Sequence, residues 1–310
     1  MVPSVLTGQP LVSVIMPTFN RQAMLDLAVE SVRAQTLNEF ELLVIDDAST
    51  DGTAEMLAKK ARADQRIRIM RLATNGGCNA ARNMGISQAR GRYFAFLDDD
   101  DIFLPERLER TVTKLEKTPE LEVIFSHFGF IDLQGRALPW RHKFLPIGET
   151  TTPGEQVFPM LYCDWGWIPT STLTVRAERL ATLAYPESRR SDNDAVFHAQ
   201  LAASGASFAQ LACTLALVRR DPSYASMSRN RKALLSARRA SLIFLRNWLL
   251  HEKITRFNDL HTRAWSNQLI NEAEFNRGMP GLCLLICAIG YWPSNPRILR
   301  YLRRRVFARK

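Results

Sequence analysis

Long apolar segments are scarce in this 310-residue chain. The longest, MPGLCLLICAIGYWP from Met279 to Pro293, is shorter than the roughly 20 residues that a membrane-spanning helix needs, and it contains proline and glycine. The first 20 residues also lack the basic stretch and the long apolar core of a signal peptide. We therefore expect neither a spanning helix nor a secretion signal.

Cysteine and histidine are also sparse, and neither occurs at the spacing of a metal site. None of the five cysteines forms a CxxC pair, which argues against a zinc cluster or a disulfide framework and favours a reducing, cytoplasmic setting. His127, His142 and His198 stand alone in the sequence, so we expect structural roles for them. Internal repeats and low-complexity segments are absent.

The net charge of +10 arises in the last third of the chain. From Arg229 onward there are 17 Lys and Arg against 4 Asp and Glu, whereas the preceding part is slightly acidic. The stretch RKALLSARRASLIFLRNWLLHEK predicts a helix, whose basic residues share one arc with several leucines: Arg231, Lys232, Arg238, Arg239 and Arg246.

Two interpretations of this basic region, residues 229–310, remain open. An apolar segment beside clustered arginines fits peripheral attachment to the anionic inner face of the cytoplasmic membrane. The alternative is a set of helices that packs on the rest of the protein and leaves a basic surface. Charge alone would also permit nucleic-acid binding, but no binding module accompanies it, so we expect none.

The first hundred residues alternate between strand-like and helix-like patterns. The segments LVSVIMPT, FELLVI, RIRIMRLA and YFAFL predict four strands, and helical periodicity fills the intervals between them. This alternation is typical of an α/β protein with a parallel sheet covered by helices. Further on we expect a hairpin turning at residues 133–135, a helix ending near Gly205, and a strand pair or one long strand in SFAQLACTLALVRR.

Polar side chains collect where these predicted strands end. They are Thr18, Asn20, Asp46, Asp47, Asn75 and the run Asp98 to Asp101. Ligands of open α/β sheets bind in the crevice beyond the carboxyl ends of the strands. The order of elements thus predicts one site that is lined from four strands. We also expect Asn20 to cap the helix that follows it.

Four consecutive aspartates beside a buried strand are costly, since each carboxylate repels the next and resists desolvation. A hard cation such as Mn²⁺ or Mg²⁺, carrying a diphosphate, would cancel that repulsion. In an extended chain Asp98 and Asp100 would face the ion together, with Asp99 and Asp101 pointing elsewhere. Asp101 would then cap the helix that Pro105 helps to start. The competing interpretation is a solvated acidic loop.

Four sequence stretches in order, VSVIMPTFNR, LLVIDDASTDGT, NGGCNAARNMGISQARGRYFAFLDDDD and IFLPERL, closely resemble the family 2 glycosyltransferases. The resemblance is strong over residues 11–108 and weaker to about residue 228. It implies a GT-A fold, a Rossmann-like, mostly parallel sheet flanked by helices. Residues 1–228 would be the catalytic domain, with a nucleotide-sugar half (11–108) and an acceptor half (109–228), and residues 229–310 a basic helical extension.

The resemblance also implies roles for individual residues. Those expected to bind the nucleotide-sugar are Pro17, Thr18, Phe19, Asn20, Asp46, Asp47, Asn75, Gly76, Arg82, Asp98 and Asp99. Within that set Asp47 would accept a hydrogen bond from uracil, and Asp46 would instead hold its loop. Asp100 would ligate Mn²⁺ or Mg²⁺ directly, and Asp98 would contact the ribose or the waters of the metal.

A general base is expected in the stretch SDNDAVFHAQLAASG, which matches the acidic dyad of the family except that Asn193 replaces an acid. Asp194 is the candidate base and Asp192 its alternative, and the positive end of the helix dipole favours a carboxylate there. Some members supply a late histidine as a further metal ligand; here Asp221 occupies the matching stretch. Arg219 and Arg220 could stabilise the departing diphosphate.

Trp165 and Trp167 could stack on an acceptor sugar, although aromatic side chains more often belong to a core. The implied function is inverting transfer of a sugar, with a UDP-sugar as the expected donor, to a glycan or lipid-linked acceptor in surface polysaccharide biosynthesis. The rivals are a sugar nucleotidyltransferase, whose Gly- and Arg-rich loop is missing after the first strand, and a catalytically degenerate domain that binds a glycan or a partner.

Overall fold

The computed structural model describes residues 9–139, 144–164, 166–187, 193–220, 231–276 and 279–307. The strands are β1 Val12–Thr18, β2 Phe40–Asp46, β3 Ile67–Arg71, β4 Tyr93–Phe96, β5 Ile102–Phe103, β6 Val123–Ile131, β7 Ala137–Leu138, β8 Thr152–Pro153, β9 Thr174–Arg176 and β10 Ser207–Arg219. The helices are α1 Gln22–Arg33, α2 Thr53–Ala63, α3 Cys78–Gln88, α4 Arg107–Lys117, α5 Gly154–Tyr162, α6 Asn193–Ala203, α7 Arg231–His251, α8 Leu260–Phe275, α9 Met279–Tyr291 and α10 Pro296–Phe307.

One mixed sheet organises the fold, with the strand order β3-β2-β1-β4-β9-β6-β10-β5. The four predicted strands are confirmed, and β1 to β4 pair in parallel, with Thr18 opposite Asp46 at the end of the β1–β2 ladder. The sheet becomes mixed at β9, which runs antiparallel to both β4 and β6. This arrangement brings the polar ends of β1, β2 and β4 to one edge.

The second half forms around one long strand. SFAQLACTLALVRR is a single strand, β10, parallel to β6 and irregular in register between Leu211 and Ala216. The predicted hairpin is confirmed, because β7 returns antiparallel to β6 through a turn in which Gly135 has φ +80°. The predicted helix before Gly205 is α6, and Gly205 follows it with φ +91°.

Hydrophobic cores lie on both faces of the sheet, because successive residues of a strand point to opposite faces. On one face Val14, Met16 and Val44 pack with residues of α1 and α4. On the other face Ile15 and Leu43 belong to a larger cluster that includes residues of α5, α6 and α7.

Helix α7 is integrated into this larger core through Leu242, Leu245 and Leu249. Arg238, one of the basic residues predicted to share a surface arc, is 3% exposed and donates hydrogen bonds to the carbonyls of Leu161 and Tyr162. A second, Arg239, forms an ion pair with Glu272 of α8. These residues therefore support the packing interpretation for α7.

Helices α9 and α10 pack on α8 around a separate apolar cluster that includes Ile270, Ala273, Leu285, Ala288 and Ile298. Within the described ranges, no helix combines the length and apolar character that crossing a membrane requires.

Candidate active site

The loop that follows β2 is held by hydrogen bonds to two aspartates. Asp46 is 1% exposed; its carboxylate accepts a hydrogen bond of 2.8 Å from the backbone N–H of Ser49 and lies 3.5 Å from Arg71. Asp47 accepts hydrogen bonds of 2.7 and 2.8 Å from the backbone N–H groups of Gly76 and Gly77. Asp47 therefore fixes the turn before α3 against β2.

Asn75 and Gly76 lie in that turn, as the order of elements predicted. Asn75 donates a long hydrogen bond of 3.4 Å to the carbonyl of Asp47. A Cβ on Gly76 would lie 2.9 Å from the Cβ of Ala80, and Gly77 has φ +85°, a conformation that favours glycine. The turn accordingly depends on both glycines.

Asn20 connects two loops and does not cap a helix, so the predicted cap is wrong. Its Oδ1 accepts a hydrogen bond of 2.8 Å from the backbone N–H of Thr50, and its backbone N–H donates to Ser49 Oγ. Helix α1 begins at Gln22 without a side-chain cap. Asn20 has φ +52°, which turns its side chain toward the loop after β2 instead of toward α1.

The remaining β1 residues differ in exposure. Pro17 is buried within the strand and opposite Ile45, and Thr18 is 3% exposed. Phe19 follows the strand and leaves 42% of its surface open. Of these residues, Phe19 is the one whose ring is available to a ligand.

The four aspartates form a tight turn and not an extended segment, since the backbone N–H of Asp101 donates to the carbonyl of Asp98 at 3.1 Å. Exposure nevertheless alternates as expected: the side chains of Asp98 and Asp100 are 33% and 30% exposed, while Asp99 and Asp101 are buried. Asp98 and Asp100 therefore offer their carboxylates to the crevice.

Arg21 neutralises part of the negative charge of this turn. The sequence patterns did not predict this role. Its guanidinium lies 3.2 Å from Asp99 and 2.5 Å from Asp100. Asp99 also accepts a hydrogen bond of 2.8 Å from Thr18 Oγ1. The available signal was the position of Arg21, directly after the polar residues that end β1.

Asp101 anchors the turn to residues far along the chain, and its predicted role as a helix cap is wrong. Its carboxylate accepts a hydrogen bond of 2.5 Å from Ser171 Oγ and one of 2.8 Å from the backbone N–H of Arg219. Ser171 Oγ in turn accepts from the backbone N–H of Asp98, and Arg219 Nε donates to the carbonyl of Asp100. The buried side chain of Arg219 thus holds the turn, and its Nη1 donates to the carbonyls of Asp132 and Leu133.

Arg82 joins the aspartate turn to helix α6. Its Nη2 lies 2.5 Å from Asp98 Oδ1, and its Nη1 lies 2.9 Å from Oδ1 of Asp194. The side chain of Arg82 is 5% exposed, and its guanidinium lies over the ring of Tyr185 at 5.1 Å. Asp194 lies in the first turn of α6 and its side chain is 30% exposed. The guanidinium of Arg82 therefore pairs with both the candidate base, Asp194, and the donor-site carboxylate of Asp98.

Burial disfavours the charged form of three carboxylates in the turn. Burial raises the pKa of Asp99 to about 6, even though Arg21 opposes that shift, and repulsion from Asp100 adds to it. Burial also raises the pKa of Asp100 and, most strongly, that of Asp101. A cation in the crevice would relieve these shifts.

The residues of the aspartate turn fit a metal ion whose remaining ligands come from the phosphates of the substrate. Among the described residues, no group of three His, Cys, Asp or Glu side chains is placed to hold an ion. Mg²⁺ is commonly bound through one or two carboxylates plus substrate phosphates, and the half-exposed Asp98 and Asp100 match that requirement.

Trp167 lies in an aromatic cluster beside the end of β6. Its ring meets that of Phe128 edge-to-face at 5.5 Å, and the guanidinium of Arg220 lies 5.2 Å from it. Phe130 and Phe144 complete the cluster. Trp167 is half-buried, which leaves part of its ring open.

Several predicted residues lie outside the described ranges: Asp192, Asp221, Trp165 and His142. Of the other two histidines, His198 is fully buried in α6, and burial lowers its pKa to about 3. His127 stacks on Phe144 with ring centroids 3.8 Å apart. A structural role for each of them stays a prediction.

Comparison with known proteins identifies the family. Residues 13–164 match the sequence model described as Glycosyl transferase family 2. Residues 13–164 are therefore a glycosyltransferase family 2 domain. The matched segment contains β1 to β4, the aspartate turn and Arg82, whereas Ser171, Asp194 and Arg219 lie beyond it.

Among curated relatives, the chain is 39% identical over 144 residues to TuaG of Bacillus subtilis, named as a candidate glycosyltransferase of teichuronic acid biosynthesis. The match covers 46% of the chain and 56% of TuaG, so the chain spans little more than half of that relative. An uncharacterised glycosyltransferase of Haemophilus influenzae is 28% identical over 185 residues, covering 60% of the chain and 70% of that protein.

Solved structures confirm the fold of the chain. TarS 1-349 of S. aureus, crystallised with UDP-GlcNAc, superposes with a TM-score of 0.62 at 18% identity, covering 96% of the chain and 83% of TarS. The mannosyltransferase PcManGT of Pyrobaculum calidifontis, in complex with GDP-Man and Mn²⁺, gives 0.56 at 16% identity, covering 98% and 89%. The predicted GT-A fold with a helical C-terminal region is confirmed.

Proposed function

We propose that this chain transfers a sugar from a nucleotide-sugar to an acceptor hydroxyl with inversion at the anomeric carbon. The observation that carries the proposal is the bridge that Arg82 makes between Asp98 and Asp194. It brings a donor-site carboxylate and a carboxylate able to act as base to the same crevice, from elements more than 90 residues apart in the chain.

The donor would lie between Phe19, the Asp47 loop and the aspartate turn. Asp47 is already held by two backbone N–H groups, and each carboxylate oxygen has a further lone pair for a uracil N–H. We propose a UDP-sugar as the donor. A structural neighbour crystallised with UDP-GlcNAc supports this choice of donor.

Asp98 and Asp100 would hold Mn²⁺ or Mg²⁺ together with the diphosphate of the donor. A bound divalent ion supplies charge neutralisation to the departing diphosphate. The protein adds Arg21, whose guanidinium lies 2.5 Å from Asp100 and whose side chain is 48% exposed. In this role Arg21 would orient the Asp99 and Asp100 carboxylates and offset their repulsion.

Asp194 would take the proton of the acceptor hydroxyl as its oxygen attacks the anomeric carbon. The new bond forms on the face opposite the diphosphate, and the bond from the anomeric carbon to the diphosphate oxygen breaks with its electron pair. The carboxylate of Asp194 ends protonated and the nucleoside diphosphate leaves. Arg82 holds the Asp194 carboxylate in place, and Tyr185 supports Arg82 from below.

The acceptor would be a glycan or a lipid-linked sugar of surface polysaccharide biosynthesis, bound beside Trp167 at the cytoplasmic face of the membrane. The aromatic cluster supports a sugar acceptor, because aromatic faces pack well on sugar rings. The candidate biosynthetic role of TuaG supports the polysaccharide setting.

A panel of nucleotide-sugars tests the proposal. With Mn²⁺ present, one donor should raise the melting temperature and be hydrolysed slowly without acceptor, and Asp100→Ala should abolish that hydrolysis. Asp259→Ala, which removes an exposed carboxylate in the turn before α8, is the matched control and should leave the rate unchanged. Donor binding without turnover under any condition would instead indicate a degenerate binding domain.

A further inference from the structure

Helix α9 exposes an apolar face although another face of the same helix is packed. Leu285 and Ala288 are buried against α8, and Ser266 of α8 donates a hydrogen bond to the carbonyl of Ala288. On the opposite side the exposed residues recur at helical spacing: Cys283, Ile286, Cys287 and Gly290. This stripe, with Ile289 and Tyr291 at its edges, is here called the α9 face.

The α9 face is unusual in composition for exposed surface. Ile286 is 60% exposed, Tyr291 48% and Ile289 38%. Helix α9, Met279–Tyr291, contains no charged residue over its 13 residues. A contiguous exposed apolar patch of this kind marks an interaction site.

Basic charge lies next to this face. Helix α10 follows after four residues and carries five arginines and no acid in the sequence PRILRYLRRRVF. Arg300 is exposed, Arg297 is half-exposed, and the neighbouring Leu302 leaves 40% of its surface open. An apolar face beside arginines complements a surface that is apolar within and anionic at its boundary.

Aromatic residues occupy the junction between the two helices. Tyr291 ends α9 and stacks on Trp265 with ring centroids 6.3 Å apart, and Trp292 follows with the guanidinium of Arg263 5.6 Å from its ring. Tyrosine and tryptophan are enriched where a membrane meets water, because each has an apolar body and a polar tip.

We infer that the α9 face, together with Arg297 and Arg300 of α10, forms a docking surface for an anionic lipid bilayer. Helix α7 is not part of this surface, because Arg238 is buried and donates to the carbonyl of Leu161, and Arg239 is paired with Glu272 of α8. The docking surface itself is independent of the proposed function. Its role, which is to bring the crevice to a lipid-linked acceptor, rests on that function.

Vesicle co-sedimentation of the full chain tests this surface. The protein should bind vesicles containing phosphatidylglycerol and remain unbound with phosphatidylcholine alone. The double variant I286S/I289S should weaken binding at least tenfold, since each isoleucine loses apolar area that the bilayer would cover. Ile243→Ser, at an isoleucine of α7 that is 47% exposed, is the matched control and should bind like the wild type.

The charge is tested separately. Because each arginine near an anionic surface contributes about 1 kcal/mol, R297Q/R300Q should lower affinity for the anionic vesicles by about 30-fold. Arg90→Gln, on the exposed connection between α3 and β4, should have little effect.

Failure to bind anionic vesicles, or binding that I286S/I289S leaves unchanged, would overturn the inference. Concentration-dependent dimerisation without lipid, lost in I286S/I289S, would also overturn it and assign the face to a second copy of the chain. Hydrolysis of the donor in solution should be equal in I286S/I289S and the wild type. Vesicle binding without any turnover would therefore count against the proposed function and leave this surface standing.

Discussion

Arg82 and Asp194 are 112 positions apart in the chain, yet Nη1 of the arginine lies 2.9 Å from a carboxylate oxygen of the aspartate. The other end of the same guanidinium reaches Asp98. A single buried side chain thus links the first turn of α6 to the aspartate turn. Its replacement should affect the chemical step more than folding of the sheet.

We expect Arg82→Lys to lower kcat about 100-fold, with a smaller change in the KM for the donor. A lysine keeps the charge but lacks the planar fork that reaches two carboxylates, and a displacement of about 1 Å in a catalytic group can cost a factor of that size. Steady-state kinetics would measure the effect. Arg62→Lys, at an exposed position of α2, is the control. A kcat within twofold of wild type in Arg82→Lys would remove Arg82 from the mechanism.

Removal of divalent metal should abolish most donor binding. A ligand at 100 times its dissociation constant stabilises a protein by about 2.7 kcal/mol, so the shift in Tm caused by UDP with Mn²⁺ should be plain and should vanish with a chelator. In D98N/D100N the Tm with UDP should be the same with and without Mn²⁺. Asp26→Asn, on the exposed side of α1, should retain the metal dependence. Equal UDP shifts in wild type before and after chelation would show that donor binding does not require the ion.

Arg107→Met should lower the free energy of unfolding by about 3 kcal/mol, because it orphans buried carbonyl groups. Arg107 is fully buried and donates to the carbonyls of Ser171 and Leu173 and to Thr174 Oγ1. Urea denaturation monitored by tryptophan fluorescence would measure the change. Arg110→Met, three residues on in the same helix but half-exposed, should cost far less. Equal effects from the two variants would mean that the bonds of Arg107 contribute little.

The stability of the protein should depend on Asp64 at acidic pH. Hydrogen bonds from Arg66 lower the pKa of Asp64 to about 2. A group whose pKa is depressed in the folded state stabilises it above its unfolded pKa, near 3.9, and that contribution is lost as the pH falls toward about 2.

Asp64→Asn should therefore lower the free energy of unfolding by about 2 kcal/mol at pH 7. The difference from wild type should narrow as the pH falls below about 5. Denaturant titrations at a series of pH values would follow it. Glu55→Gln, with a side chain 78% exposed on α2, should show no such trend. A difference that stays constant down to pH 3 would contradict the assignment.

Local periodicity was enough to predict β1 to β4, the helices between them and the edge at which Asp47 and Asp98 meet. These features depend on residues close together in the chain. The partners of the aspartates were not predictable in the same way, since Ser171 and Arg219 approach the turn from residues about 70 and 120 positions away.

Two local predictions failed for a related reason. Asn20 and Asp101 each precede a helix and have capping side chains, but tertiary partners compete for them: the backbone of Thr50 in one case, and Ser171 with Arg219 in the other. The basic arc expected on α7 was likewise altered by packing, because the carbonyls of Leu161 and Tyr162 accept the hydrogen bonds of Arg238.

The hydrogen bonds from Arg219 to the aspartate turn have a consequence for folding during synthesis. The strands that carry the turn are synthesised early, but its two anchors, Ser171 and Arg219, emerge much later. A nascent chain that stops at residue 164 would contain every donor-side carboxylate but neither Ser171 nor Arg219. If the proposed function holds, we expect nucleotide affinity to appear abruptly, when β10 has been synthesised, and not to grow with each strand added.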